Sequence, residues 1–156
     1  MSPSTTTTAA LVVFCRRPAP GVGKQRIAAG LGREFACRLG EALLETTLED
    51  ARAWPGDVFI APADDKDRDW AAALGPPGWS VVMQGPGNLG QRLNTVDREL
   101  RSRGYRCLVF IGSDAPLLDQ AYYRDARNRL EDAEVVLGPA DDGGVTLMAA
   151  RAPWPT

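Results

Sequence analysis

Two short apolar runs constrain the fold of this chain more than any other feature. The segments Ala10–Cys15 and Arg106–Gly112 are almost entirely apolar, which is typical of strands that are buried on both faces of a sheet. Strands of this kind occur mainly in parallel sheets that helices cover on both sides. We therefore expect an α/β fold in which Leu11–Phe14 and Leu108–Ile111 lie side by side among the central strands of the sheet.

The remainder of the chain alternates between helical and extended patterns. Helices are predicted over Arg33–Trp54, Asp67–Leu74, Leu89–Gly104 and Asp119–Leu130. Further strands are predicted over Asp57–Ala61, Trp79–Gln84, Ala133–Leu137 and Val145–Ala150. This alternation predicts a three-layer, Rossmann-like sandwich with a mostly parallel central sheet. The short break at Gly143-Gly144 leaves open an antiparallel arrangement of the last two strands.

Apolar spacing indicates how two of these helices are oriented. In the first helix, the residues that recur at helical spacing are Phe35, Leu39 and Leu43. In the third helix, the residues predicted to form one buried face are Leu89, Leu93, Val96 and Leu100.

The length and the N-terminal segment bear on domain organisation and location. A chain of 156 residues is long enough for one domain with a hydrophobic core and too short for two. We expect residues 1–9 to form a disordered polar tail and residues 10–156 to form a single domain. The start lacks the charged and long apolar regions of a signal peptide, and no apolar run approaches the ~18 residues of a membrane helix. These features favour a cytoplasmic protein that binds no membrane.

Charge, histidine and cysteine content exclude several classes of function. The formal net charge of −2 provides no general attraction to nucleic acid or to an anionic membrane. The sequence has no histidine, which excludes a Ser-His-Asp triad, a Cys-His dyad and histidine-bound zinc. Any metal must have oxygen ligands, which favours Mg²⁺ or Mn²⁺. Cys15 and Cys107 flank apolar runs, so we interpret them as small core residues rather than metal ligands or nucleophiles.

The first candidate binding loop spans residues 16–26 and is basic and rich in glycine. In a sheet of this type, ligands bind beyond the carboxyl ends of the strands, where this loop is expected. It differs from the Walker and dinucleotide-binding motifs at their defining positions. Backbone N–H groups and fixed positive charges nevertheless suit a di- or triphosphate, although a solvated basic turn is the alternative. Its candidate phosphate-binding residues are Arg16, Gly21, Gly23, Lys24 and Arg26.

The second loop, residues 84–92, opens the third predicted helix with small residues. Glycine allows a ligand to approach the backbone closely, and Gly90 and Arg92 are the candidate phosphate contacts here. A plain capped turn explains the same pattern equally well.

The third loop begins at the end of the most apolar predicted strand and contains Asp114. A carboxylate at the rim of a buried strand is well placed to hold a metal ion that bridges phosphate oxygens. The alternative is that Asp114 only caps the next turn.

The fourth loop contains two adjacent acids, Asp141 and Asp142, before the Gly-Gly break. Asp142 is a candidate for a second metal ligand or for a contact with a sugar hydroxyl. An ordinary Asp-Gly turn between two strands is the alternative.

Taken together, the four loops resemble a family of bacterial transferases. The matching segments, in the family's order, are Val12–Arg26, Asn88–Arg92, Ile111–Leu117 and Val136–Gly144. The family is that of the radical-SAM/selenodomain-associated transferase 1 proteins. The resemblance implies a nucleotide-diphospho-sugar transferase fold of the glycosyltransferase-A type. It also implies kinship with the molybdenum-cofactor and lactyl-phosphate nucleotidyltransferases.

The resemblance also implies roles for particular residues. In such relatives, the position of Lys24 contacts nucleotide phosphates and the position of Asp114 contacts the metal, so both are expected to be catalytic. This chain departs from the family at Gln25, Asn88 and Val145, where threonine, an acid and an aromatic residue are usual. It also ends where members usually continue, so a natural short form, a truncated form and a degenerate copy all stay open.

The leading hypothesis is an Mg²⁺-dependent nucleotidyl- or glycosyltransferase. Its partners would be a nucleoside triphosphate or nucleotide sugar and a small-molecule acceptor. Lys24 and Arg26 would neutralise the phosphates, with Arg16 or Arg17 assisting, while Asp114 would hold the metal. Acceptor identity and oligomeric state are left open. The competing hypothesis is a non-catalytic nucleotide-binding or scaffold domain derived from the same family.

Overall fold

The computed structural model describes residues 9–18, 30–113, 120–139 and 145–153, with the backbone alone at 120 and 145. The strands are β1 (Ala9–Cys15), β2 (Val58–Pro62), β3 (Ser80–Val81), β4 (Cys107–Gly112), β5 (Val135–Pro139) and β6 (Val145–Ala150). The helices in these ranges are α1 (Arg33–Arg52), α2 (Arg68–Ala72), α3 (Leu89–Ser102) and α4 (Gln120–Arg129). A single 3₁₀ turn, Asp65–Asp67, leads into α2.

The six strands form one mixed, mostly parallel sheet in the order β3-β2-β1-β4-β6-β5. Strand β1 lies between β2 and β4 and is parallel to both, with Leu11 opposite Val58 on one side and Val109 on the other. The predicted pairing of the two apolar runs is therefore confirmed. Strand β6 is antiparallel to β4 and to β5, which resolves the orientation of the last two strands.

Helices cover both faces of this sheet. On one face, α1, α2 and α4 pack against alternate strand residues, including Leu11 and Val13. On the other face, α3 packs Leu100 against Val12 and Phe110. Successive residues of a strand point to opposite faces, so both layers bury β1, and its sequence has to be apolar throughout. The predicted three-layer α/β sandwich is confirmed.

The predicted face of α1 needs correction, whereas that of α3 is confirmed at Leu93, Val96 and Leu100 and is wrong only at Leu89. Phe35 is 44% exposed and Leu89 is 64% exposed. The buried residues of α1 are Ala36, Leu44, Thr47, Leu48 and Ala51. The buried side of α1 is thus displaced from the one expected, because the helix faces the sheet with the side that contains Leu44, Leu48 and Ala51. Leu89 is the first residue of α3, and the contacts of this helix with the sheet begin later, at Leu93, Val96 and Leu100.

Strand β3 is shorter than expected, since it contains Ser80–Val81 rather than Trp79–Gln84. The pairing continues for one further hydrogen bond, from Val82 N–H to the Ile60 carbonyl at 3.0 Å. The chain then turns away through Gly85 and Gly87, whose φ angles of 77° and 106° lie in the left-handed region that favours glycine.

A buried ion pair attaches α3 to the sheet. The Arg101 Nε donates to both carboxylate oxygens of Asp97, at 3.0 and 3.1 Å. The same guanidinium donates to the Ala150 carbonyl of β6 at 3.3 Å and to the carbonyl of Arg106, just before β4. The side chains of Asp97 and Arg101 are 2% and 12% exposed. This contact sets the position of α3, whose first turn lies at the carboxyl ends of the parallel strands.

The cysteine prediction is confirmed, because Cys15 and Cys107 are 4% and 1% exposed and contribute to the core. Of the predicted tail, Ala9 belongs to β1, and residues 1–8 lie outside the described ranges. Within the described part of the chain, no helix has the length and apolar character needed to cross a membrane.

Candidate functional site

The candidate site is the edge of the sheet at which β1, β2, β3 and β4 end. Since these four strands are parallel, the residues that follow them emerge on the same side of the domain. The described residues at this edge include Arg16, Ala63, Gln84 and Ser113. Strand β6 runs the opposite way, so its first residues lie at the same edge.

The first turn of α3 is held by a reciprocal capping interaction. The Asn88 Oδ1 accepts a hydrogen bond from Gln91 N–H at 2.9 Å, and the Gln91 Oε1 accepts one from Asn88 N–H at 2.8 Å. This arrangement is a capping box. A Cβ at Gly87 would come too close to the end of the Gln91 side chain that forms this cap, so a larger residue there would displace the cap, and the φ angle also favours glycine. The interpretation of this loop as a capped turn is therefore confirmed for the start of α3, where Asn88 is the N-cap.

Arg92 crosses from α3 to two neighbouring loops. Its Nε donates to the Gly87 carbonyl at 2.9 Å, and its Nη1 donates to the Ala63 carbonyl at 2.9 Å. The Nη1 also donates to the Gln84 Oε1 at 3.2 Å. Among the described residues, no carboxylate lies within ion-pair distance of Arg92. Neutral oxygens hold the guanidinium in place and leave its charge without a counter-ion in the described ranges.

Gln84 was not identified from the sequence as a site residue. It is 4% exposed, and its Nε2 donates to the Ala61 carbonyl at 2.7 Å. The sequence does contain a feature that could have identified Gln84: it is a polar residue directly after the mostly apolar segment 79–83 and lies two positions after the buried Val82. Alternation along a strand predicts that such a residue points to the same buried face.

The two arginines after β1 have different surroundings. The Arg17 Nη1 lies 3.9 Å from the Asp67 Oδ1, and its guanidinium lies 6.0 Å from the ring centre of Trp70. Arg16 is exposed and has no hydrogen bond or ion pair with another described residue. Of the two, Arg16 is therefore the better placed to meet a ligand, and Arg17 is directed towards α2.

Cys15 is unsuited to nucleophilic chemistry at this edge. Burial, reinforced by the nearby charge of Asp67, raises the pKa of the Cys15 thiol from its ordinary value of 9.0 to about 12. A thiol with so high a pKa carries almost no thiolate at neutral pH.

The other predicted site residues divide between described and undescribed segments. Gly90 is the second residue of α3 and is exposed. The remaining candidates, all outside the described residues, are Gly21, Gly23, Lys24, Arg26, Asp114 and Asp142. In the described ranges, no group of three acidic, cysteine or histidine residues is arranged to hold a metal ion.

The sequence of residues 45–156 matches a bacterial family described as "Uncharacterized protein conserved in bacteria (DUF2064)". The chain belongs to this family. A comparison with curated proteins found no match.

Several solved structures share the fold of this DUF2064 chain. A "putative nucleotide-diphospho-sugar transferase" from Desulfovibrio desulfuricans superposes with a TM-score of 0.84 at 26% identity, over 93% of this chain and 64% of its own. A cytidylyltransferase from Leptospira borgpetersenii gives 0.59 at 15% identity, over 93% and 60%. A Mycobacterium tuberculosis protein solved in complex with manganese gives 0.54 at 20% identity, over 94% and 73%.

These likenesses confirm the expected fold type. The chain spans less than two thirds of the length of the Desulfovibrio and Leptospira proteins, and fold alone does not specify function. The activity has to be argued from the residues at the carboxyl edge.

Proposed function

We propose that this chain is a metal-dependent transferase that uses a nucleoside triphosphate or a nucleotide sugar. We also propose that, within its family, it belongs with the radical-SAM/selenodomain-associated transferase 1 proteins. One observation carries the functional proposal: Arg92 is held at the carboxyl edge by neutral oxygens, with no carboxylate partner among the described residues. The names of the Desulfovibrio protein, a "putative nucleotide-diphospho-sugar transferase", and of the Leptospira protein, a cytidylyltransferase, support this proposal.

An arginine that is held by neutral acceptors in this way is suited to binding a phosphate group. Its position is determined by the backbone of two loops, so little side-chain entropy is lost when an anion binds. Its charge remains available, and hydrogen bonds to a charged acceptor are stronger than those between neutral groups. Arg16 follows β1 at the same edge. We propose that Arg16, Lys24, Arg26 and Arg92 together bind the phosphates.

The first turn of α3 would assist them. Asn88 caps the N–H of Gln91, and the N–H groups of the two residues before it have no intrahelical partner. Gly90 has no side chain and is exposed. Among the described residues, only the Asn88 Oδ1 would lie within 4 Å of a Cβ placed there, so space for a ligand is present beside this backbone. Backbone N–H groups at a helix start favour bound anions, which supports the proposed role of Gly90.

We propose that Asp114 and Asp142 hold the divalent cation. Asp114 comes directly after Ser113, just past β4, and Asp142 lies in the connection from Pro139 to Val145, which are paired with each other. Strands β4 and β6 are neighbours, so both connections leave from the same edge of the sheet. Carboxylate and phosphate oxygens are the ligands that Mg²⁺ and Mn²⁺ prefer, and the Mycobacterium tuberculosis protein was solved with manganese. A bound cation would supply positive charge to the leaving phosphate.

No nucleophilic side chain is needed for this chemistry. The acceptor attacks phosphorus or the anomeric carbon, and the arginine and lysine charges stabilise the leaving phosphate. The protonated thiol of Cys15 agrees with this arrangement.

A second candidate, a non-catalytic nucleotide-binding domain, is favoured by one observation. The radical-SAM/selenodomain-associated transferase 1 proteins that the chain resembles usually have an acid at the position of Asn88, and Asn88 forms a complete capping box. Aspartate and asparagine cap helices about equally well. The change to asparagine would thus preserve the turn while removing a negative charge from the site.

Calorimetric titration with nucleoside triphosphates and nucleotide sugars, with and without Mg²⁺ or Mn²⁺, tests the proposal. We expect metal-enhanced binding of at least one of them, followed by turnover with an acceptor panel. Asp114→Asn should abolish the metal enhancement, and Asp142→Asn should reduce it. Asp132→Asn, in an exposed turn beyond α4, is the matched control and should bind normally.

Binding without product from any acceptor would favour the non-catalytic alternative. Wild-type metal dependence in Asp114→Asn would show that Asp114 is only a cap. Absence of any nucleotide binding would refute both functions.

A further inference from the structure

Gln84 is an unusual residue for the interior of this domain. The buried polar or charged residues in the described ranges are Thr47, Asp67, Gln84 and Asp97. Thr47 bonds within its own helix, while Asp67 and Asp97 face arginines. Gln84 is the neutral member of this set that bridges separate elements, from β2 to α3.

Both ends of the Gln84 amide are engaged, and their chemistry determines the orientation. The Ala61 carbonyl can only accept a hydrogen bond, so the group facing it at 2.7 Å has to be the NH₂. The Arg92 guanidinium can only donate, so the group facing it at 3.2 Å has to be the carbonyl oxygen. Burial of an amide without partners costs about 1–3 kcal/mol in proteins, which disfavours any rotamer that breaks either contact. The Gln84 oxygen is therefore held in one direction, towards Arg92.

This oxygen completes the set of acceptors around Arg92. Together with the carbonyls of Gly87 and Ala63, it engages the Nε and Nη1 groups. No hydrogen bond from Nη2 to another described residue is present. A neutral acceptor orients the guanidinium without cancelling its charge, whereas a carboxylate in the same place would form an ion pair and compete with a bound phosphate.

We infer that Gln84 is a positioning residue, which holds the Arg92 guanidinium in the direction that receives a ligand phosphate at the carboxyl edge. This inference rests on the proposed function and extends it to a residue that does not itself contact the ligand. It also explains why a polar amide occupies a buried position, since a leucine or methionine would be sufficient there for packing alone.

A double-mutant cycle in ligand affinity tests the inference. Inorganic tripolyphosphate with Mg²⁺ serves as the probe, because it reports on the phosphate site regardless of the base. Gln84→Met removes both hydrogen bonds at nearly constant volume. We expect it to raise the tripolyphosphate Kd about 5- to 10-fold in the wild-type background, but less than about 2-fold in an Arg92→Gln background, because coupled residues are non-additive.

Two further variants separate positioning from stability. Thr47→Val removes a buried hydrogen bond on the opposite face of the sheet, so it should lower the melting temperature and leave the Kd unchanged. Gln84→Glu keeps an acceptor beside Arg92 but adds a negative charge, and it should also weaken tripolyphosphate binding. It provides a second readout if Gln84→Met folds poorly.

The outcomes distinguish the two proposals. Equal losses from Gln84→Met in both backgrounds, or a Kd unchanged by both Gln84 variants while Arg92→Gln binds weakly, would overturn the positioning role and leave the proposed function standing. If the wild-type protein binds neither tripolyphosphate nor any nucleotide in the presence of Mg²⁺, both proposals fail.

Discussion

Removal of one partner of the buried Asp97–Arg101 ion pair should destabilise the domain strongly. The two side chains of the pair are 2% and 12% exposed, and Arg101 also reaches the carbonyls of Arg106 and Ala150. Asp97→Ala would leave the guanidinium buried without its counter-ion. Removal of one partner of a buried pair typically costs ~3–5 kcal/mol, a large share of the roughly 5–15 kcal/mol that stabilises a folded domain.

Urea denaturation followed by circular dichroism measures this loss directly. For a domain of this size, a change of 1 kcal/mol shifts the melting temperature by roughly 2–4 °C, so Asp97→Ala should melt roughly 6–20 °C lower. Asp97→Ala/Arg101→Met should recover about 1–2 kcal/mol relative to the single variant, because apolar replacement of both partners removes the buried charge.

The same helix contains a matched control. Glu99 and Arg103 form a pair with the same i,i+4 spacing, but their side chains are 48% and 43% exposed. Glu99→Ala should cost no more than about 0.5 kcal/mol. If Asp97→Ala costs no more than Glu99→Ala, or if the double variant is no more stable than Asp97→Ala, the reasoning from burial is wrong.

Three further predictions concern the edge of the sheet. Burial and Asp67 raise the pKa of Cys15 from 9.0 to about 12, so the unfolded chain loses this proton first as pH rises. Stability to urea should therefore fall between pH 9 and pH 12 by up to ~1.4 kcal/mol per pH unit, and Cys15→Ala should reduce this slope; an unchanged slope would contradict the assignment. In thermal denaturation, Asn88→Ala should cost ~1 kcal/mol and Asn88→Asp almost nothing, because aspartate caps equally well; equal losses would show that capping is not the cause. Lys24→Ala and Arg26→Ala should each weaken nucleotide binding in calorimetry with little change in melting temperature, as surface substitutions usually do; loss of stability without loss of affinity would make this loop structural.

The strands were predictable where their residues are apolar without interruption. Such a run has no polar face, so a strand that contains it has to be covered on both sides. The adjacency of β1 and β4 was a separate prediction, which the strand order of the sheet confirms. The exposed Phe35 shows the limit of the same reasoning for helices. Helical spacing identifies residues that share a side, whereas the packing of the folded domain decides which side is buried.

The candidate site divides in a similar way. Arg92 was predicted from a loop of small residues at a strand end, and its place at the carboxyl edge agrees with that expectation. A capped turn was one of two alternatives for this loop, and the reciprocal bonds between Asn88 and Gln91 show that the cap is present. The binding role of Gly90 and Arg92 stays a prediction. Lys24 and Asp114 stay predictions.

By itself, the sequence determined the α/β class, the central strands and the exclusion of histidine chemistry. These properties depend on composition and on residues that are near neighbours along the chain, so local patterns are enough to reveal them. Only the tertiary structure decided which face of α1 is buried and where Arg92 is held. Arg92 bonds to Ala63, which follows β2, to Gln84, which follows β3, and to Gly87, which precedes α3. These hydrogen bonds form only after the sheet has brought the three segments together.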